Sequence, residues 1–312
     1  MNKQLKGSLA LLTATVIWGF AFIAQSVGMD LIGPFTFQMV RCLLAVALLV
    51  PLSFLLDIGK CSMRESFEKW KNPKLWKASI LCGLALFVAS SLQQNDLMYT
   101  DAGKAGFLTA MYIVLTPVVG SFRGRKVPKA TVFSVALAVV GLYLISCLGV
   151  TEVNKGDLLI MGCALCFAVQ INCIDHFCEG LDGFRMNCIQ ALTVAVISAP
   201  CVFFTETVDM GNLLACWGPL CFAGCLSMGI AYSLQIVGQK EIEPTAASLI
   251  MSLESVFAVL GGWWLLSERM APHELLGCGL VFVAVVISQL PEKKRCYKRI
   301  ILLCASGQCY VF

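Results

Sequence analysis

Charge is the scarcest thing in this sequence. Asp, Glu, Lys and Arg make up 13% of its 312 residues, hydrophobic residues make up 58%, and histidine occurs twice. A chain so poor in charge, with a mean hydropathy of +0.82, cannot cover a folded domain with a solvated surface. That excludes an ordinary water-soluble protein and leaves the bilayer as solvent. Reaction signatures are missing as well. There is no G-x-x-x-x-G-K-[ST] loop to cradle nucleotide phosphates, no H-E-x-x-H to hold a catalytic zinc and no G-x-S-x-G to raise a nucleophilic serine. The two histidines, His176 and His273, sit at helix ends away from Cys163-Ala-Leu-Cys166. That C-x-x-C spacing therefore lacks the further ligands a metal needs, and no cofactor is expected.

What the sequence has in quantity is long apolar runs. A bilayer core about 30 Å thick takes about 20 apolar residues per helix. Ten such runs are bounded by polar or turn residues, over 8–28, 34–56, 78–99, 103–122, 131–149, 157–178, 185–204, 213–237, 245–266 and 273–290. They predict an all-α membrane protein of ten transmembrane helices, with connections too short to hold a soluble domain. Lys3 and Lys6 ahead of Leu9–Ala24 have the look of a secretory signal, but the run is long and has no small-x-small cleavage site, so it reads as a retained first helix. Cysteine is plentiful at 17. Twelve of these lie inside the runs, where a thiol is a small apolar packer rather than half of a disulfide framework.

Charge, though scarce, is unevenly placed. With the N-terminus in the cytoplasm, 19 of the 23 Lys and Arg fall on cytoplasmic segments, and the opposite face holds only Lys104, Lys155 and Arg269. The positive-inside rule then puts both termini in the cytoplasm of a multi-pass protein of the cell membrane, expected to be a bacterial inner membrane. Clusters such as Lys69, Lys71, Lys74 and Lys77 flank spans and do not form one basic face, so the net charge of +4 reports topology and implies no nucleic-acid partner. The partners expected are membrane lipids and a small-molecule substrate, and either a monomer or a homodimer fits. Residues 291–312 read as a basic cytoplasmic tail. There Lys293-Lys-Arg295 and Lys298-Arg299 precede Ile300–Ala305, a run too short to span, which either lies along an anionic membrane surface or takes no structure.

The runs also repeat. Gly7–Phe22 aligns without gaps on Gly156–Ile171, placing Trp18 on Phe167, and Ala105-Gly-Phe-Leu108 aligns on Ala247-Ser-Leu-Ile250. The turn Arg125-Lys-Val-Pro128 matches Arg269-Met-Ala-Pro272. Five spans fall in each half, 7–149 and 156–290. An odd number of crossings makes the second copy enter from the opposite side, so the halves are inverted repeats. Such symmetry allows two nearly equivalent packings, one open to each face, which is the physical basis of alternating access.

Two ionised side chains lie well inside runs. Arg41 is seven residues past Pro34, about 10 Å along a helix, and its long side chain either snorkels towards the outer headgroups or serves a cavity. Glu254 is nine residues past Thr245, about 14 Å deep, with too short a side chain to reach water along lipid. It is either a protonated group held by a neighbouring helix, or a site for a cationic group or a coupling proton. The repeat offset of 142 sets Glu254 against Tyr112 and Gln93 against Gln235. Residues near a pseudo-two-fold axis line the cavity the halves share, so these four join Trp18, Arg41, Gln94, Gln170 and Tyr232 as the candidate substrate-binding set. Its chemistry is expected to be neutral hydrogen bonding and aromatic stacking, against the plainer alternatives of core packing for each aromatic and interhelical bonding for each glutamine. Pro117 lies mid-run, where it removes a backbone hydrogen bond and marks a helix bend. Pairs such as Ala85 and Ala89, or Ser134 and Ala138, with Gly277, allow close packing.

Several stretches together resemble a known family. They are Trp18-Gly19, Phe37-Gln-Met-Val-Arg41, Tyr99-Thr-Asp-Ala-Gly-Lys-Ala-Gly-Phe-Leu108 with Pro117, and Pro244-Thr-Ala-Ala247 through Leu253-Glu254 to Ser267-Glu268. Over residues 7 to 290 the sequence is similar to the EamA-type drug/metabolite transporters. The resemblance implies ten helices in two EamA repeats, a central cavity, and export of amino acids, related metabolites or drugs. One departure is Ser255, where the family usually has a proline after the glutamate, which puts a proline bend in doubt. A gradient-driven exporter is the function expected, and not an enzyme. The alternatives are translocation of a lipid-linked or nucleotide-linked sugar, or a membrane enzyme acting on lipid, for which only Glu206, Asp209 and scattered loop carboxylates are available.

Overall fold

In hydrocarbon a backbone must satisfy its own hydrogen bonds, so a long apolar run can only coil into a helix. The computed structural model describes residues 3–97, 106, 108–125, 127–146, 155–265 and 271–289. Among them there is no strand, and each of the ten runs is helical. The spans are α1 (Lys3–Met29), α2 (Pro34–Leu55), α4 (Pro73–Asp96), α5 (Tyr112–Ser121), α6 (Lys129–Ser146), α7 (Lys155–Phe177), α8 (Gly183–Thr205), α10 (Trp217–Gln239), the pair α11 (Pro244–Met251) and α12 (Leu253–Leu265), and α13 (Pro272–Gln289). Two short helices lie between spans, α3 (Met63–Trp70) and α9 (Met210–Ala215). The segment from Tyr99 through Lys104, Lys126, Ser267 to Arg269 and the tail 291–312 fall outside the described residues.

Local chemistry sets where helices begin. Proline, which has no N–H to leave orphaned, is the first residue of α2, α4, α11 and α13. The side chains of Asn72 and Asp182 cap α4 and α8 by accepting backbone N–H bonds. The polar helix α3 opens with a reciprocal capping box between Ser62 and Glu65.

The way the helices pack carries the pseudo-symmetry. Numbering the ten spans one to ten, span three packs on span six as span eight packs on span one, and span one packs on span nine as span six packs on span four. Span three packs on span seven as span eight packs on span two. The two remaining large contacts, α2 with α8 and α6 with α13, are each their own symmetry mate. This is the pattern two inverted five-helix repeats produce. Small residues let backbones approach where lipid gives no hydrophobic push. A Cβ on Gly277 of α13 would stand 2.5 Å from the carbonyl oxygen of Gly141 of α6, and one on Gly141 would stand 2.8 Å from that of Gly277.

Connections that should share a face do so. At one face Arg185 bonds Asp57 at 2.7 Å, Arg125 pairs with Asp175, Lys240 donates to the Leu181 carbonyl, and Gly7 abuts Ile242. Ser8 also donates to Gln289 at 3.2 Å, so the two ends of the described chain lie together at this face. At the other face Glu206 meets the start of α2. The exterior between the faces is apolar, with Leu158, Phe203, Leu275 and Phe282 among the exposed side chains.

Candidate substrate cavity

Two of the spans are interrupted, at equivalent places. The ninth run turns at Ser252, which separates α11 from α12, and the fourth turns at Met111 just before α5. The offset of 142 relates Met111 to Leu253, next to the other turn. No proline is needed at the ninth-run break. Ser252 returns its hydroxyl to the Leu249 carbonyl at 2.8 Å, and Ser255 donates across to the Gly106 carbonyl at 3.2 Å. Interrupted helices at mid-membrane are tolerated where they line a cavity, and here each break leads directly into a side chain of the candidate set.

Those side chains are Tyr112 and Glu254, and they touch. The Tyr112 hydroxyl donates to Glu254 Oε1 at 3.1 Å, with both residues buried. Pseudo-symmetry mates can bond each other only at the axis, so this bond lies where the halves meet. Span eight contributes through a different distortion. Over Phe222–Ala231 it winds as a π-helix, a form often found at functional sites. Asn187 of α8 donates to the Met228 and Gly229 carbonyls and to Ser233, at 2.8, 2.9 and 3.0 Å, serving carbonyls within and at the end of that winding.

Between these elements lies a cavity. Its aromatic wall is Trp18, Phe22, Phe167 and Tyr232, with Trp18 and Tyr232 packed edge to face at 4.9 Å between ring centres. The hydrogen-bonding groups are Gln25, Gln93, Thr109, Tyr112, Ser227 and Gln235, the charged residues are Arg41 and Glu254, and Ile171 and Met251 complete it. The cavity is narrow, with a volume of about 40 Å³.

Seven of the nine residues expected from the sequence therefore line one cavity: Trp18, Arg41, Gln93, Tyr112, Tyr232, Gln235 and Glu254. Gln94 and Gln170 do not. They stand behind it, Gln94 donating to Gln25 Oε1 at 2.6 Å and Gln170 accepting from Gln235 at 3.3 Å. The snorkelling alternative for Arg41 is overturned. Its side chain turns inward, 2% exposed, and donates to Gln25 Oε1 at 2.5 Å. The cavity is consequently less neutral than expected. Gln25 and Phe22 were passed over, although Gln25 lies two helical turns past Trp18 on the same face of α1. Asp96, at the end of α4, is a fully buried acid outside the sequence-predicted set. Pro117 lies inside α5, where Ile113 loses its usual N–H partner. Two of the carboxylates on which a lipid enzyme would depend are already engaged by backbone N–H groups. Glu206 accepts from the backbone of Phe35 and Thr36, and Asp209 from that of Asn212.

The model of the EamA-like transporter family matches twice, over residues 5–147 and 154–289, nearly the whole described chain. The chain belongs to the EamA-like transporter family. Family membership makes it a multi-pass membrane transporter and gives each matched segment five of the ten spans. A relative from Archaeoglobus fulgidus, named as an uncharacterized transporter, is 30% identical over 92% of this chain and 87% of its own length. The threonine/homoserine exporter RhtA of Escherichia coli is 29% identical over 51% of this chain and 55% of its own. A crystal structure with 16% identity superposes at a TM-score of 0.74 over 91% of this chain and 96% of the other, a likeness of fold.

Proposed function

We propose that this protein is a secondary transporter that exports a small amphipathic metabolite, an amino acid or a close relative, by alternating access. The two repeats, 7–149 and 156–290, are the bodies that move, and both termini face the cytoplasm. The observation that carries the reading is the Tyr112–Glu254 bond, made between symmetry mates at two helix breaks on the wall of a cavity. A carboxyl on the axis between the halves meets either face as they rock, and so can take up a coupling proton from one side and release it to the other. The narrowness of the cavity agrees with this, since a metabolite enters only when the halves part. The basic loops at one face support the sidedness. The name of RhtA supports an amino acid as cargo. A sugar nucleotide fits less well, because its phosphates call for several cations and among the described residues the lining offers one, Arg41.

Reconstituted vesicles test the reading. Wild-type protein is expected to move metabolite in response to a proton gradient, and Glu254→Gln to lose at least tenfold of the gradient-driven flux while facilitated exchange persists. Flux equal to that of empty liposomes across a broad metabolite panel overturns it.

A further inference from the structure

The cavity contains an arginine and a glutamate that do not pair with each other. Arg41 lies 2% exposed, its guanidinium 5.8 Å from the ring centre of Phe37. One Nη donates to Gln25 Oε1, while its Nε has no hydrogen-bond partner and its charge no salt-bridge partner among the described residues. Gln25 Oε1 is also held by Gln94 at 2.6 Å, which fixes how the guanidinium is presented. Glu254, 6% exposed, accepts a hydrogen bond from the Tyr112 hydroxyl, and a carboxylate keeps lone pairs beyond that one. Both residues line the same space, and they come from different halves, Arg41 from α2 and Glu254 from α12.

Removing a charge from water is costly unless a counter-charge repays it. A fold that buries a guanidinium and a carboxyl on one cavity wall without joining them is matched by a solute that brings both counter-charges. We infer that Arg41 and Glu254 are the two poles that select the solute by its zwitterion, Arg41 taking the carboxylate and Glu254 with Tyr112 the ammonium. The planar guanidinium suits a carboxylate, which it can hold through two parallel bonds. The side chain of the solute then lies against Trp18, Phe22 and Phe167, so a neutral side chain is favoured. A solute with only one of the two charges leaves the other site unpaired, which is how a polar site rejects a near neighbour. Because the two charges belong to different halves, the zwitterion also ties the repeats together.

This inference rests on the transport reading for its biological meaning, but the binding site is tested on its own. Purified wild-type protein is titrated calorimetrically with each neutral L-amino acid, with its carboxamide, which removes the negative charge, and with its N-acetyl derivative, which removes the positive one. At least one amino acid is expected to bind, and both derivatives at least tenfold more weakly. In Arg41→Gln the acid and its amide become equivalent while the N-acetyl penalty persists, and in Glu254→Gln the reverse holds. Arg41→Lys, which keeps the charge, retains preference for the acid. A derivative binding as tightly as its parent overturns the inference, as does the absence of binding by every amino acid. The wild-type series alone decides this even if a variant fails to fold. Flux of some other solute in liposomes without amino-acid binding removes the zwitterion and leaves the transporter, whereas the expected binding pattern with no flux removes the transporter and leaves the site.

Discussion

At one end of the α2–α8 pair, Asp57 follows α2 and bonds Arg185 at the start of α8; at the other, Glu206 follows α8 and bonds Thr36 at the start of α2. An offset of 149 relates Thr36 to Arg185 and Asp57 to Glu206, so the two clasps are symmetry mates. Their chemistry is different. Asp57 is shared between Arg185 at 2.7 Å, Lys69 at 2.8 Å and the Ser66 hydroxyl at 2.7 Å, and Asp182 adds a second carboxylate to Arg185. Among the described residues Glu206 has no cation. It takes the backbone N–H groups of Phe35 and Thr36 at 2.8 Å each and the Thr36 hydroxyl at 2.6 Å, as a cap supplied by another helix. The repeat has kept a carboxylate at the end of the span and let its partner follow the side of the membrane. Cations gather at the first face, where charge pairing is possible, and at the second the orphan N–H groups and positive end of α2 do the same work.

The two clasps should break with different force. Removing Asp57 leaves the buried Arg185 charge with only the part-exposed Asp182 carboxylate at 3.1 Å, so Asp57→Ala is expected to cost about 3 kcal/mol, measured as detergent-solubilised stability. Glu206→Ala deletes a half-exposed cap and is expected to cost about 1–2 kcal/mol. A loss as large as that of Asp57→Ala would show that the second clasp is not a mere cap. Gly33 sharpens the point, because a Cβ there would stand 2.3 Å from the Glu206 carboxyl carbon. Gly33→Ala should displace the carboxylate at a cost of about 1 kcal/mol and add little in the Glu206→Ala background, as a double-mutant cycle will read. Acid should have the smallest effect. Bonds from Lys69, then Ser66, then Arg185 hold the Asp57 carboxyl well below the usual carboxylate range. A depressed carboxyl contributes its full stability above its unfolded value of about 4, and loses it only as pH falls through the folded one. The gap between wild type and Asp57→Asn should therefore stay constant from about pH 7 down to about pH 5.

The same contrast shows what the sequence could and could not tell. The spans were legible because hydrocarbon accepts only one answer for an apolar run, and their ends fall within a few residues of expectation, as at Pro34, Gly183 and Pro272. The axis was legible because the offset pairs Tyr112 with Glu254. Neither clasp was, since Asp57 and Glu206 read as loop carboxylates until their partners, more than a hundred residues away, are placed beside them. Helix α3 is too short and polar for a pattern of apolar runs to detect. The break at Ser252 was hidden because it comes without proline, from serine hydroxyls that bond backbone carbonyls. The inward turn of Arg41 was likewise decided by Gln25 on another helix.

The bond between Ser8 and Gln289 has a meaning for descent and engineering. Among the described residues the last span returns to the first, so the helices close nearly into a ring. A chain joined from α13 to α1 and opened between α6 and α7 is expected to keep these helix contacts while starting on the other face. The packing of the described helices does not by itself dictate which half comes first.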